Sequence, residues 1–286
     1  MITIVADTTS SIPVKTAEEL GIPYIPQIII FGDESYRDDH EMDSKTFIQR
    51  LRSANTLPKT AAPPPALYHP IYSKYAIDGN TVIVLTPSSN LSGTFRSAEV
   101  AAGDFPGKDI RIIDTRTVGA GLSSIILQAL DWVKAGCDAS TIVFRVTEMA
   151  KRQRVFFVVD TLEYLHKGGR IGGAKMLVGS ILQVKPILHL QDGQIEPFES
   201  QRTKRKAVER IKELIIKSAP HNDSAHVSIM HGDVEQEAIE LADALKASLG
   251  VSEIKICNLP PAILVHSGPG VIAVSSFIES NSPEVI

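Results

Sequence analysis

The chain has 286 residues, of which 43% are hydrophobic and 22% are charged, and this composition is typical of a globular protein with two domains. Lys and Arg (29) are outnumbered by Asp and Glu (33), so the net charge of −4 excludes a global basic field for holding nucleic acid. The two cysteines lie far apart in the sequence, which excludes a disulfide framework and suits a reducing compartment.

We expect neither a targeting signal nor a transmembrane segment. The opening residues MITIVAD have neither the basic region nor the long apolar region of a signal peptide. The longest apolar candidate, residues 171–190, is interrupted by Lys175 and Lys185, so no transmembrane helix is expected. We therefore expect a soluble cytoplasmic protein.

Strands and helices alternate through the first half of the chain. Apolar runs rich in β-branched residues predict strands at residues 2–6, 24–31, 82–85 and 110–113. Helical spacing of apolar residues and cap signals predict helices near residues 13–21, 43–51, 66–76, 92–101 and 123–135. Such alternation favours a parallel α/β sheet, and polar turns after three of the strands predict a ligand site at the carboxyl edge of that sheet.

The pattern changes after residue 159. Strands are predicted at 184–190 and 194–200, and the Asp192-Gly193 pair between them is a strong hairpin signal. The remaining predicted elements are a short helix at 162–167, a basic helix at 204–217, a strand at 225–230, a helix at 234–249 and strands at 253–257 and 271–277. We therefore predict two domains: residues 1–155, and a two-layer α/β domain over residues 156–286.

A strand that leads through a polar turn into a helix is the main candidate site. Residues 81–98 read TVIVLTPSSNLSGTFRSA, an apolar strand followed by small polar residues. The first N–H groups of a helix have no intrahelical partner and its dipole favours negative charge, so this turn suits an anion. The hydroxyls of Ser92 and Thr94 add donors, although Ser92 or Asn90 also suits the role of an ordinary helix cap.

A proline-rich segment, residues 57–65, precedes that strand. Three consecutive prolines at 63–65 forbid a helix and favour a stiff extended loop. Such a loop holds Thr60 in one place with little entropy left to lose.

The glycine-rich run at residues 168–175, GGRIGGAK, does not fit a phosphate-binding loop. The pattern G-x-x-x-x-G-K-[ST] fails when it is counted from Gly168, because Ala174 stands at the lysine position. Counted from Gly169, it fails because Ala174 replaces the second glycine and Met176 replaces the hydroxyl. No G-x-G-x-x-G follows the first strand, so dinucleotide binding is not supported either.

Three other kinds of site have weaker support in the sequence. The segment around Ser92 lacks the first glycine of the serine hydrolase motif G-x-S-x-G. Ser92 with His266 remains an alternative for acyl or phosphoryl transfer, although the sequence identifies no third residue that would orient the histidine. The eight histidines form no H-E-x-x-H and no Cys/His cluster, so no metal site is predicted. Arg202 with residues 204–206 forms a basic patch, either a solvated helix face or a docking surface for an acidic partner.

Several stretches together resemble one family. In order along the chain they are MITIVADTTSSIP, SYRDDHEMDSKTF, LPKTAAPPP, SSNLSGTFRSA, DTLEYLHKGGRIGGAKMLVGSILQVKPIL and HSGPG. They span nearly the whole chain and are similar to motifs of DegV family proteins. The most specific of them is DTLEYLHKGGRIGGAK.

The resemblance implies a fold and a function. The implied fold is an α/β/α sandwich with a parallel sheet, plus a two-layer α/β domain with a mixed sheet. The implied role is non-enzymatic, without catalytic residues, metal or cofactor. A long-chain fatty acid is bound between the domains, its chain in an apolar tunnel, and its carboxylate is presented to an ATP-dependent fatty acid kinase that makes acyl phosphate for phospholipid synthesis.

The resemblance also implies the ligand-binding residues. The threonine that holds the carboxylate matches Thr60, and the serine of the L-S-G-T motif matches Ser92, with Gly93 offering a backbone N–H. The supporting basic residues match Arg170 and His266. This chain departs from the family pattern T-S-x-P-S-P, because TAAPPP at residues 60–65 lacks two hydroxyls.

We therefore expect a fatty-acid-binding carrier that acts with a kinase. The alternatives are the transferase that uses Ser92 and His266, and a binder of another carboxylate or phosphate ligand. The absence of nucleotide and metal motifs favours binding over catalysis.

Overall fold

The computed structural model describes residues 1–177 and 184–279, so residues 178–183, which belong to the family-like stretch DTLEYLHKGGRIGGAKMLVGSILQVKPIL, lie outside the described residues. The strands are β1 Ile2–Asp7, β2 Tyr24–Ile25, β3 Ile28–Phe31, β4 Glu34–Arg37, β5 Lys59–Ala61, β6 Thr81–Thr86, β7 Asp109–Asp114, β8 Gln153–Val158, β9 Lys185–Gln191, β10 Gln194–Gln201, β11 Ser228–His231, β12 Lys255–Asn258 and β13 Ile272–Phe277. The α-helices are α1 Val14–Glu19, α2 Ser44–Ser53, α3 His69–Tyr75, α4 Thr94–Ala102, α5 Ala120–Lys134, α6 Ala139–Lys151, α7 Glu163–Lys167, α8 Lys204–Ser218, α9 Glu235–Leu249 and α10 Pro261–Ser267.

The chain divides into two compact units. The first comprises Met1–Asp43, Pro58–Lys151 and Pro260–Ala262, and the second comprises Ser44–Leu57, Arg152–Leu259 and Ile263–Ile286.

A four-stranded parallel sheet lies at the centre of the first unit, in the order β2-β1-β6-β7. Successive side chains of a strand point to opposite faces. On one face, Val5, Val82 and Val84 pack with α3 and α4 in a single buried cluster. The alternate residues Ile4 and Ile83 are also buried, and α5 contacts both β1 and β6. Helices therefore cover both faces, as the expected α/β/α sandwich requires.

A small antiparallel sheet, β4-β3-β5, also belongs to this unit. The single strand predicted at residues 24–31 is wrong, because the chain breaks at Pro26 and Gln27 into β2 and β3. Proline lacks the N–H that a continuing ladder needs, so the two halves pair in different sheets. The predicted extended loop at Thr60 is a short strand, β5, which pairs with β3.

A six-stranded mixed sheet lies in the second unit, in the order β10-β9-β8-β13-β11-β12. Only the β11–β12 pair is parallel. The predicted hairpin is confirmed: β9 and β10 are antiparallel, and Asp192 (φ 50°) and Gly193 (φ 77°) both adopt positive φ. Two positive φ values are what a type I′ turn requires, and Asp-Gly accepts them readily.

One helical layer packs on this mixed sheet. Apolar residues of α8 and α9 form one buried cluster with residues of β8, β9, β11 and β13, among them Phe156, Ile229 and Val274. The mixed α/β fold, with one parallel and one mixed sheet, is therefore confirmed.

The observed units differ from the predicted boundary between residues 155 and 156. Helix α2, which was predicted in the first domain, belongs to the second unit. The Ser44 hydroxyl donates to the Leu259 carbonyl (2.7 Å), and the guanidinium of Arg52 pairs with the carboxylate of Asp233. These partners are far away in sequence, so local sequence patterns cannot show that α2 belongs to the second unit.

Within the described residues, no helix combines the length and apolar character needed to cross a membrane.

Candidate functional site

The turn before α4 presents an accessible amide and a hydroxyl. The Ser92 N–H donates to the Ser88 carbonyl (3.0 Å), which folds the segment back before the helix begins at Thr94. Gly93 is the cap residue, so the predicted cap at Ser92 or Asn90 lies one to three residues too early. Gly93 is exposed, and no described residue accepts a hydrogen bond from its N–H. The helix N-terminus therefore offers a donor to an anion.

The Ser92 side chain is tied to the first residue of α4. Its Oγ lies 2.8 Å from Thr94 Oγ1 and accepts from the Thr94 N–H (3.3 Å). Thr94 Oγ1 in turn accepts from Gln27 Nε2 (2.9 Å). Sequence reasoning missed Gln27, because one glutamine inside a predicted apolar strand carries no motif.

Thr60 stands on the segment next to this turn. It lies in β5 opposite Ile29 of β3, and Ala62 follows directly after the strand. A Cβ added to Gly93 would lie 3.3 Å from the Cβ of Ala62, so the two segments touch. The structure therefore brings the Thr60 segment to Ser92 and Gly93, and we call these three residues the hydroxyl site.

Arg170 and His266 form the second group, which we call the basic pair, and both belong to the second unit. Arg170 Nη1 donates to the carbonyl of Gly168 (2.7 Å), which fixes the guanidinium at the end of α7. A Cβ on Gly168 would lie 2.3 Å from His266 Nδ1, so the imidazole packs directly on this glycine. Gly168 therefore positions both members of the pair.

The charge of the basic pair resides on Arg170. Burial, with the Arg170 charge as a smaller cause, lowers the pKa of His266 to about 4. Burial also lowers the pKa of Arg170, but a guanidinium stays protonated in proteins. His266 is consequently neutral near pH 7 and offers a polar ring rather than a positive charge.

The glycine-rich run has a packing explanation. A Cβ on Gly172 would lie 2.0 Å from the Ile195 carbonyl oxygen, and one on Gly173 would lie 1.8 Å from Glu196 Oε2. The Gly173 N–H donates to the Glu196 carboxylate (3.3 Å). These glycines let the run lie against β10. The negative charge of Glu196 beside the run would repel a bound phosphate.

Two buried carboxyl groups were also missed. Acidic residues close together in sequence, such as Asp38, Asp39 and Glu41, usually form a solvated loop, but Asp38 is only 6% exposed. Asp7 is only 2% exposed. Burial raises the pKa of Asp7 to about 6 and that of Asp38 to about 7, against hydrogen bonds from neighbouring threonines. Asp38 Oδ1 accepts from Thr8 Oγ1 (2.6 Å) and from the Gln27 N–H (2.8 Å).

The structure also describes the basic patch and the candidates for metal binding. In the basic patch, Lys204 pairs with Asp160 (3.3 Å) and Glu237 (3.4 Å), whereas Arg205 and Lys206 are exposed. In the part of the chain that the structure describes, no group of three His, Cys, Asp or Glu side chains is arranged to hold a metal ion.

Comparisons with known proteins agree on one family. The family model described as "Uncharacterised protein, DegV family" matches residues 1–279. A DegV domain-containing protein of Halalkalibacterium halodurans is 34% identical, over 97% of this chain and 99% of that relative.

Solved structures give the same result. The fatty-acid-binding DegV family protein of Thermus thermophilus superposes with a TM-score of 0.88 at 29% identity, over 97% of this chain and 99% of that one. DegV of Bacillus subtilis, a fatty acid binding protein, superposes with a TM-score of 0.84 at 32% identity, over the same shares of the two chains. Because the family model spans all of the described residues, the chain belongs to the DegV family.

Proposed function

We propose that this protein binds a long-chain fatty acid and holds the carboxylate with the hydroxyl site and the basic pair together. The observation that carries the proposal is the convergence of Ser92, the free Gly93 amide and the Thr60 segment at the N-terminus of α4. The DegV proteins of Thermus thermophilus and Bacillus subtilis, both similar over nearly their full lengths, are fatty acid binding proteins.

The head group requires several donors. A buried carboxylate is costly unless hydrogen bonds or a counter-charge compensate its desolvation. Ser92, Thr60 and the Gly93 amide supply neutral donors, and Arg170 supplies the positive charge. His266, being neutral, adds one further donor or acceptor. The two hydroxyls that TAAPPP lacks are not members of this set, so the departure from the family pattern leaves the proposed donors in place.

The acyl chain supplies most of the affinity in this proposal. Each buried methylene contributes about 0.8 kcal/mol, so a chain of about 15 methylenes contributes on the order of 12 kcal/mol before the cost of ordering it. The head-group donors then decide which end of the ligand is held and which chemical class is accepted. We propose an apolar tunnel for the chain.

We further propose a carrier rather than an enzyme. The partner would be an ATP-dependent fatty acid kinase that phosphorylates the presented carboxylate, and we assign the protein to the cytoplasm, where ATP is available. The transferase alternative needs a base for Ser92. The Ser92 hydroxyl is hydrogen-bonded to the Thr94 hydroxyl, which cannot act as a base. The His266 imidazole, with a pKa of about 4, is a poor general base near pH 7.

Native mass spectrometry of the purified protein tests the ligand. We expect an added mass equal to that of a C14 to C18 fatty acid, which disappears under denaturing conditions. A protein that is empty and also fails to bind added oleate or palmitate would refute the proposal.

A hydroxamate assay tests the division of labour. With oleate and ATP, the protein alone should form no acyl phosphate. Acyl phosphate should form when a bacterial fatty acid kinase is added. Product formation without the kinase would favour the enzyme alternative.

A further inference from the structure

A buried row of hydrogen bonds leads from the break between β2 and β3 to Ser92. Gln27 is 3% exposed and Thr94 is 1% exposed, whereas Ser92 is only partly buried. Gln27 Nε2 lies 2.9 Å from Thr94 Oγ1, and Thr94 Oγ1 lies 2.8 Å from Ser92 Oγ. All three residues belong to the first unit, so the row is internal to one compact body.

The chemistry of these groups gives the row a direction. An amide NH₂ can only donate, so the Thr94 oxygen accepts from Gln27 and keeps its own proton for Ser92. The Ser92 oxygen then accepts twice, from the Thr94 hydroxyl and from the Thr94 N–H (3.3 Å). A serine oxygen has two acceptor positions. With both used, the remaining function of Ser92 is to donate its own proton away from the row.

The backbone of Gln27 is clamped where the row begins. The Gln27 N–H donates to Asp38 Oδ1 (2.8 Å), and the Asp38 N–H donates to the Gln27 carbonyl oxygen (3.1 Å). The Thr8 hydroxyl oxygen also lies 3.2 Å from the same N–H. The carboxamide is therefore carried on a fixed backbone rather than on a free loop.

We propose that Gln27 is a positioning residue that orients the hydroxyl protons of Thr94 and Ser92, so that Ser92 meets its ligand as a hydrogen-bond donor. This inference rests on the proposed fatty acid site and deepens it, because it names what selects an anionic head group. In the reversed direction, the Thr94 hydroxyl would donate to Gln27 and the Ser92 hydroxyl would donate to Thr94. A lone pair of the Ser92 oxygen would then face the carboxylate and repel it.

A double-mutant cycle between Gln27→Met and Ser92→Ala tests the inference. Oleate affinity is measured by titration of delipidated protein, and thermal melting checks that each variant is folded. We expect Gln27→Met to weaken binding about two- to tenfold in the native background, the size of one net hydrogen bond. In the Ser92→Ala background the same change should have no effect, since Gln27 acts only through Ser92.

A second cycle covers the case in which Gln27→Met fails to fold. Thr94→Val removes the middle hydroxyl with little change of shape, and it too should lose its effect in the Ser92→Ala background. Thr86→Val is the matched control, because Thr86 is equally buried but donates to the Ile113 carbonyl (3.0 Å) and is not in the row. Oleate affinity should survive that change.

The outcomes separate the two proposals. Equal losses in the native and Ser92→Ala backgrounds, or unchanged or tighter binding by Gln27→Met, would overturn the inference and leave the fatty acid site intact. Native protein that binds no oleate would overturn the fatty acid site and the inference with it.

Discussion

The replacement Gly168→Ala tests whether close packing sets the basic pair. The new Cβ would lie 2.3 Å from His266 Nδ1 and 2.8 Å from the Tyr164 carbonyl oxygen, against an ordinary contact limit of 3.4 Å. The imidazole must therefore shift by about 1 Å, and the carbonyl belongs to the backbone of α7 and cannot move independently. Overpacking of this kind costs about 1–3 kcal/mol. The Gly168 carbonyl also accepts from Arg170, so the shift disturbs both members.

The assay combines urea denaturation with oleate titration. We expect Gly168→Ala to lose about 1–3 kcal/mol of unfolding free energy and roughly tenfold or more in oleate affinity, because both basic groups move. Gly169→Ala is the matched control: Gly169 has φ +70° but nothing within 4 Å of its added Cβ. That variant should lose about 1–2 kcal/mol of stability from backbone strain and keep its affinity. A folded Gly168→Ala protein with native affinity would refute the reasoning.

Three further predictions concern the site residues and the buried carboxyl group of Asp38. Thr60→Val and Ser92→Ala should each weaken oleate binding by about 0.5–1.5 kcal/mol, or by up to about 3 kcal/mol if the ligand is ionised, without loss of fold; unchanged affinity would remove that residue from the site. Because the folded pKa of Asp38 is raised to about 7, its stabilising contribution is present below the unfolded value of 3.8 and is lost as the pH rises through 7. The melting temperature of the native protein should therefore fall relative to that of Asp38→Asn between pH 5 and pH 8, and a constant difference would contradict the buried acid. Because His266 is neutral above its pKa of about 4, the ratio of oleate affinities between native protein and His266→Gln should stay constant from pH 6 to pH 8. A ratio that falls as the pH rises would show an imidazolium in the site.

Local signals predicted much of the fold because they act within a few residues. The apolar runs of β1, β6 and β7 and the Asp192-Gly193 turn are determined by side chains next to one another in sequence. The break at Pro26 is also a local signal, but apolar residues on both sides concealed it. The assignment of α2 to the second unit depends on partners near residues 233 and 259, which no local pattern reveals.

The candidate site divides in the same way. A strand, a polar turn and a helix start predict Ser92 and Gly93 as candidates for anion binding. The carboxylate-binding role of Thr60 is implied only by the family resemblance, and Thr60 lies in β5 rather than in an extended loop. Arg170 is named only through family resemblance, and without that resemblance His266 is only a possible transferase partner of Ser92. Neither the role of Gly168 nor the low pKa of His266 is visible before the ring is placed against the glycine. Gln27 depends on contacts with residues 38 and 94, so only the folded structure reveals it.

A crystal structure of the protein with bound oleate is the most direct test of the central claim. We predict one carboxylate oxygen at about 2.6–3.0 Å from both Ser92 Oγ and Thr60 Oγ1. We also predict the Arg170 guanidinium as the nearest positive charge to that carboxylate. A carboxylate that contacts neither hydroxyl, or oleate bound with its methyl end at the N-terminus of α4, would contradict the account.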